Sequence, residues 1–129
     1  MAAHDGQRIL IVDDDPSIRR TLQIALSNAG YSVLQACDGS EAMRLWRDHG
    51  GDLVITDLHM PEKDGIETIM ELLRHTPSLP IIAMSDGGQT RRLDLLKDVS
   101  LLRPVLTIEK PFTLAQMVGL VGHALRRVP

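Results

Sequence analysis

Aromatic side chains are nearly absent from this chain of 129 residues: one Trp, one Tyr and one Phe make up 2% of it, against 43% hydrophobic residues in all. Its core must therefore be aliphatic and globular. Basic residues are also few, 14 Lys and Arg against 17 Asp and Glu, and the net charge of -3 leaves no footprint for nucleic acid. Cysteine occurs once, at Cys37, which excludes an internal disulfide. Its neighbours Gln35, Ala36 and Asp38 supply no activating cation, so Cys37 is expected to be a half-buried small residue ending a strand. No run reaches the roughly 18 apolar residues of a membrane span, and Met1 to Gln7 is too short and polar for a signal sequence. The expectation is a soluble, cytoplasmic protein without membrane or direct nucleic-acid contact. Repeats, low-complexity tracts and linkers are missing too, and the length suits one domain that buries a single core.

What is present is a pattern of apolar runs that end in polar side chains. Asp13, Asp14 and Asp15 directly follow Ile9-Leu10-Ile11-Val12, and Asp57 directly follows Leu53-Val54-Ile55-Thr56. A short β-branched run bounded by polar residues reads as a strand buried on both faces, as in parallel sheets. Ligands of such sheets sit beyond the carboxyl ends of the strands, where the strand order reverses. Carboxylates gathered there repel one another unless a cation neutralises them, and a hard, oxygen-seeking ion such as Mg²⁺ suits them.

Two periods alternate along the rest of the chain. Strands are predicted at Arg8 to Val12, Ser32 to Ala36, Leu53 to Thr56, Pro80 to Met84 and Val105 to Ile108. Helices are predicted at Pro16 to Ala29, Ser40 to Asp48, Gly65 to His75, Gln89 to Leu102 and Thr113 to Arg127. Ile18, Leu22, Ala25, Leu26 and Ala29 give the first helix its buried face, and Ala42, Leu45 and Trp46 the second. Asp15 before Pro16 is a good N-cap and first-turn pair, a better use for it than metal binding. Thr113 with Gln116 forms a capping box. In the last helix Leu114, Val118, Val121 and Leu125 suit the sheet, while Met117, Leu120 and Ala124 widen the apolar arc. Such βα units demand right-handed crossovers and a doubly wound α/β fold: a parallel five-stranded sheet with helices on both faces.

Ser85 follows the fourth strand and Lys110 the fifth, which brings a hydroxyl and an ammonium to the edge that carries the aspartates. Carboxylates, a hydroxyl and a lysine around a cation make a phosphoryl-transfer site. An aspartate can attack phosphorus, while metal, lysine and hydroxyl stabilise charge on the transferring group.

The strings ILIVDDDP, VITDLHMPEKDG, PIIAMS and IEKPF, in this order and spacing, resemble the receiver domain of two-component response regulators, from about Arg8 to Arg127. The resemblance implies the (βα)5 flavodoxin-like fold with strand order 2-1-3-4-5, the order of the chemotaxis receivers. It implies one receiver domain over residues 1–129, with no output domain in this chain. The implied role is that of a signalling switch rather than an enzyme: it accepts a phosphoryl group from a phosphohistidine on a sensor histidine kinase or histidine phosphotransfer protein. By the same resemblance Asp57 is the phosphoacceptor, Asp14 the direct Mg²⁺ ligand, Asp13 its water-linked partner, and the backbone carbonyl of His59 a further ligand. Ser85 would bond the phosphoryl group, Lys110 would pair with Asp57 or its phosphate, and the Lys110-Pro111 bond would be cis. Kinase partners would dock near Ile18, Arg19 and Leu22. A dimer or a downstream protein would use the face built from the fourth helix, fifth strand and fifth helix.

Some positions depart from the family pattern. The aromatic switch residue three before the lysine is here Thr107, so either another residue couples the site to the surface or the switch is weak. The residue after the hydroxyl is Asp86 rather than a small one; it could repel phosphate, slow transfer, or point to solvent. Asp86 to Arg103 is longer than in the commonest receivers and contains Gly87-Gly88, which marks it for mobility on Mg²⁺ binding or phosphorylation. His4, His49, His59, His75 and His123 lack ligand spacing and read as surface residues, although the His59 side chain lies where receivers modulate hydrolysis. Two other classes stay open: a receiver-like scaffold that takes no phosphate, and a haloacid-dehalogenase-like phosphatase with Asp13 as nucleophile. The second needs an acidic pair after the lysine, and Pro111 to Pro129 contains no Asp or Glu.

Overall fold

The computed structural model describes residues 6–59, 65–86 and 105–126. Five strands, β1 (Arg8–Val12), β2 (Ser32–Ala36), β3 (Leu53–Asp57), β4 (Ile81–Ser85) and β5 (Val105–Glu109), form one parallel sheet in the order β2-β1-β3-β4-β5. Four helices are described: α1 (Pro16–Asn28), α2 (Gly39–His49), α3 (Gly65–His75) and α4 (Leu114–Arg126). The helix expected at Gln89 to Leu102, and the mobility expected around Gly87-Gly88, lie outside the described residues. The predicted fold class and strand order hold.

The strands alternate their side chains between two aliphatic cores, as a pleated strand must. Leu10, Val12, Val54, Ile81 and Ala83 pack with Ile69, Leu72 and Leu73 of α3 and Ala42 and Met43 of α2. Ile9, Ile11, Leu53, Ile55, Ile82 and Met84 pack on the other face with Leu22 and Leu26 of α1 and Met117, Val121 and Ala124 of α4. The three central strands β1, β3 and β4 are buried almost throughout, whereas the edge strands β2 and β5 are only partly covered. That gradient explains why β1, β3 and β4 read as continuous apolar runs.

The caps show how the helices are placed. Asp15 caps α1, its Oδ1 accepting from Ser17 N at 2.9 Å, with Pro16 at the first helical position. At α4 the capping box is reciprocal: Thr113 N donates to Gln116 Oε1 at 2.7 Å, and Gln116 N to Thr113 Oγ1 at 3.0 Å. A further cap lies at α2. Asp38 Oδ1 accepts from Glu41 N at 2.8 Å while Glu41 Oε1 accepts from Cys37 N at 2.8 Å, which starts the helix at Gly39 instead of Ser40.

Three expectations need correction. Cys37 is exposed, because β2 ends at Ala36 and the chain turns outward before the Asp38 cap. Partial desolvation together with the Glu41 and Asp38 carboxylates pushes its thiol up, away from reactivity. In α4 the buried stripe is Met117, Val121 and Ala124, while Leu114 is 42% exposed and Val118 and Leu125 are half-buried. Leu114 opens the first turn immediately after the cap, ahead of the part of the helix that crosses the sheet. In α2, Met43 is buried beside Ala42, and Leu45 and Trp46 only flank the core.

Candidate functional site

The site grows from the carboxyl ends of β1, β3, β4 and β5. The ladder runs through two of the predicted residues: Asp57 is the last residue of β3 and pairs with Met84, and Ser85 is the last of β4 and pairs with Glu109. Backbone pairing therefore fixes their Cα positions. Asp13 N still bonds to Ala36 O on β2 at 3.1 Å, although β1 itself ends at Val12. Lys110 N donates to Ser85 O at 2.7 Å, which ties the end of β5 to the end of β4. The peptide bond from Lys110 to Pro111 is cis, as the resemblance implies.

Asp13, Asp14 and Asp57 converge, each offering a carboxylate oxygen within 4.8 Å of the others. Asp13 and Asp57 are buried and Asp14 is exposed, so the cluster is open on one side. Lys110 Nζ stands 3.3 Å from Asp57 Oδ2 and 3.8 Å from Asp13 Oδ2. One ammonium thus pairs with two of the three carboxylates, which leaves net negative charge in a partly desolvated place. The remaining oxygens differ in their bonding. Asp57 Oδ1 accepts from His59 N at 3.1 Å, and Asp13 Oδ1 from Asp15 N at 2.9 Å. Asp13 Oδ2 is buried with no hydrogen-bond partner.

Burial above all pushes the Asp13 carboxyl up to about 6, with the charges of Asp57 and Asp14 acting in the same direction; the Asp15 N–H and Lys110 oppose it only in part. A buried acceptor that lacks a donor is costly, and a cation is what such an oxygen accommodates. The donor set consists of carboxylate oxygens alone, which fits a hard ion such as Mg²⁺ better than a softer metal. The residues present therefore fit the implied ion.

Other predicted residues are placed as follows. Ser85 is buried at the end of β4. Thr107 is half-buried on the edge strand β5, in register with Ala83. Asp86 is exposed, as are His49, His59, His75 and His123, which agrees with the surface reading; His4 is outside the described residues.

Three features escaped the sequence. Arg19 of α1 reaches back and donates from Nη1 to the Asp13 carbonyl oxygen at 2.6 Å. Gly65, the first residue of α3, packs against the backbone of Asp57 and Leu58 so closely that a Cβ there would lie 2.6 Å from Leu58 Cα. A groove of about 390 Å³ runs from Lys110 between Ser17, Ile18, Thr21 and Leu22 of α1 and Phe112 and Leu114 beyond β5. Neither contact shows in the residue types, since both targets are main-chain atoms of nearby residues, six positions before Arg19 in one case and just before α3 in the other.

A family model described as the response regulator receiver domain matches residues 9–121. The chain belongs to that family. Among its relatives, the DNA-binding transcriptional regulator NtrC of Rhizobium meliloti is 37% identical over 123 residues, which are 93% of this chain and 24% of that protein. This receiver spans about a fifth to a half of the length of the curated relatives it matches. Among solved structures, a receiver domain protein from Clostridium thermocellum has a TM-score of 0.84 at 25% identity, covering 94% of this chain and 95% of that one. TrrA of Thermotoga maritima, solved in complex with Mg²⁺ and BeF, has a TM-score of 0.79 at 30% identity, covering 92% and 99%. Asp phosphorylation and Mg²⁺ dependence are features of this family of two-component signalling modules, which are signalling components more than enzymes. Among the described residues no helix is long and apolar enough to cross a membrane.

Proposed function

We propose that this receiver is the phosphoacceptor of a two-component phosphorelay, modified on Asp57 by a phosphohistidine on a sensor kinase or phosphotransfer protein. The observation that carries the reading is the convergence of the Asp13, Asp14 and Asp57 carboxylates, with Lys110 paired to Asp57 and Asp13, and with Asp13 Oδ2 buried and lacking a hydrogen bond. An Asp57 oxygen attacks the phosphorus, the bond from phosphorus to the donor imidazole breaks, and the nitrogen leaves with the electron pair. The product is an aspartyl phosphate. Mg²⁺, held by Asp14 and Asp57 with Asp13 and the His59 carbonyl in support, would neutralise charge on the transferring group. Lys110 moves its pairing from the Asp57 carboxylate to the phosphate oxygens, and the Ser85 hydroxyl donates a hydrogen bond to them.

The groove along α1 suits the donor protein, because Lys110 lines it and also pairs with Asp57. A partner seated on Ile18 and Leu22 is then beside the reacting carboxylate. Thr107 is the switch position in this reading, and the face built on β5 and α4 is where a second copy or a downstream protein would bind. The chain acts in the cytoplasm as one domain, and its own chemistry is limited to self-modification and slow self-hydrolysis. Direct nucleic-acid contact is not part of it, given the net charge of -3. The phosphatase alternative has no acidic pair after Lys110 to build its metal site. The non-phosphorylated scaffold is the reading to test against.

With Mg²⁺ present, a small acyl phosphate should modify the wild type and beryllofluoride should bind it, as read by intact mass and by ¹⁹F NMR. Asp57→Ala should abolish both. Lys110→Ala should keep Mg²⁺ binding and lose the conformational response. A wild type that takes up neither reagent and shows no Mg²⁺ dependence would establish the scaffold reading.

A further inference from the structure

Arg19 of α1 turns its side chain back toward the acidic edge and bonds to the backbone there. Its Nη1 donates to the Asp13 carbonyl oxygen at 2.6 Å, and Arg19 itself is half-buried. The position of that carbonyl gives the contact its meaning. Asp13 stands where β1 leaves the sheet: its N–H still bonds to Ala36 O, and its C=O is met by the Arg19 side chain. The Asp13 carbonyl shares a rigid peptide plane with the Asp14 N–H. A guanidinium fixed on one side of that plane therefore sets the direction in which Asp14 leaves the loop.

The other bonds of this loop hold its neighbours. Asp15 N bonds to Asp13 Oδ1, Ser17 N to Asp15 Oδ1, and Arg19 N to Asp15 O. Asp13 is buried and pinned at both ends, but Asp14 is exposed, so burial does not hold its carboxylate near Asp57. What is fixed is the peptide plane from which its Cα leaves. We infer that Arg19 is a positioning residue for the Mg²⁺ seat: by clamping the Asp13 carbonyl it holds the Asp14 carboxylate in the cluster with Asp13 and Asp57. This rests on the proposed reading of the cluster as a Mg²⁺ site.

Positioning and plain electrostatics act on cation binding with opposite signs. If Arg19 were only a nearby positive charge, its removal would strengthen cation binding. If it positions Asp14, removal must weaken binding, and partners outside the ligand sphere typically account for about 10–100-fold in metal affinity.

The experiment measures Mg²⁺ alone, by calorimetric titration of the EDTA-stripped full chain, without phosphodonor. Arg19→Met keeps the apolar stem and loses the donor; its Mg²⁺ dissociation constant should rise by about tenfold or more. Arg19→Lys keeps charge and a donor and should stay within about threefold of the wild type, which shows that the charge-bearing donor and not the helix surface is at issue. The metal-free thermal midpoint of each variant, taken in parallel, establishes that a folded site is being titrated. Unchanged or tighter Mg²⁺ binding by Arg19→Met would overturn the positioning role while the cluster reading stands. A wild type whose Mg²⁺ binding is absent, or indifferent to Asp14→Ala, would overturn the cluster reading and this inference with it.

Discussion

Gly65→Ala should damage both the fold and the chemistry, and the structure gives the size of the effect. A methyl group at this position would lie 2.6 Å from Leu58 Cα, nearer still to the Asp57 carbonyl oxygen, and 3.1 Å from the Asp57 carbonyl carbon. Leu58 Cα must retreat by about 0.4 Å merely to reach the 3.0 Å below which real Cβ contacts essentially never occur. Backbone atoms cannot rotate away as a side-chain tip can, so either the start of α3 or the end of β3 has to move. Moving α3 disturbs Ile69, Leu72 and Leu73, which are fully buried against the sheet. Moving β3 shifts Asp57 relative to Lys110, 3.3 Å away. Overpacking of this kind costs about 1–3 kcal/mol, and a displacement of a few tenths of an ångström at a reacting group should slow phosphorylation roughly tenfold. Urea unfolding followed by Trp46 fluorescence gives the first number, and the rate of modification by an acyl phosphate the second. Gly119→Ala is the control, because nothing lies within 4 Å of a Cβ there. In the middle of α4 it should stabilise the protein by up to about 1 kcal/mol. If Gly65→Ala matched the wild type in both measurements, the close approach of α3 to the Asp57 backbone would have no role in placing the site.

Two further predictions concern stability. The Asp13 carboxyl is raised from 3.8 to about 6, so the folded metal-free protein holds this proton more tightly than the unfolded chain; its contribution is full below about pH 4 and is lost as pH rises through 6. In EDTA, Asp13→Asn should therefore gain stability on the wild type across that window, by up to about 3 kcal/mol, and parallel urea midpoints for the two proteins from pH 4 to 7 would refute the shift. Thr113→Ala removes the hydroxyl that accepts from Gln116 N at 3.0 Å and should cost about 1 kcal/mol; an unchanged denaturation midpoint would show that the return bond from Gln116 suffices.

The parts of this protein that are legible in its sequence are those whose signal is local. β1, β3 and β4 are buried on both faces, so their apolar runs stand out, and the polar residue ending each run marks one edge of one sheet. Asp13, Asp14, Asp57 and Lys110 can be placed together for that reason. The Thr113 and Gln116 box and the Asp15 cap are equally local. The errors arise where burial depends on how far an element overlaps its neighbour: Leu114 and Met117 are both apolar, but only the second packs into the core beneath the sheet. Cys37 reads wrongly because it lies just past β2, on the turn into the Asp38 cap, where it is exposed. Arg19 and Gly65 are hidden for a different reason. Each acts on main-chain atoms a few residues before it, and a main-chain target leaves no trace in the identity of the residue it belongs to.

If Asp57 is the phosphoacceptor as proposed, Thr107 would leave the switch position without an aromatic ring, and the geometry offers another route. A ring that rotates between exposed and buried positions is one way to report events at Asp57. Lys110 offers a second way, because it is bonded twice. Its Nζ pairs with Asp57 Oδ2 at 3.3 Å, and its backbone N–H donates to Ser85 O at 2.7 Å. A phosphoryl group on Asp57 would change the charge and position of what Nζ must pair with, which would give the ends of β4 and β5 a direct differential interaction between the two states. The strand that Lys110 follows is the partly covered edge strand β5, and Phe112 and Leu114 immediately beyond it line the groove beside α1. An edge strand held by one neighbour can shift at lower cost than β1, β3 or β4, which are clamped on both sides. In the proposed reading, the coupling that the ring would have carried would therefore have a path through the main chain, from Asp57 to Lys110 and from Lys110 to the surface that follows it.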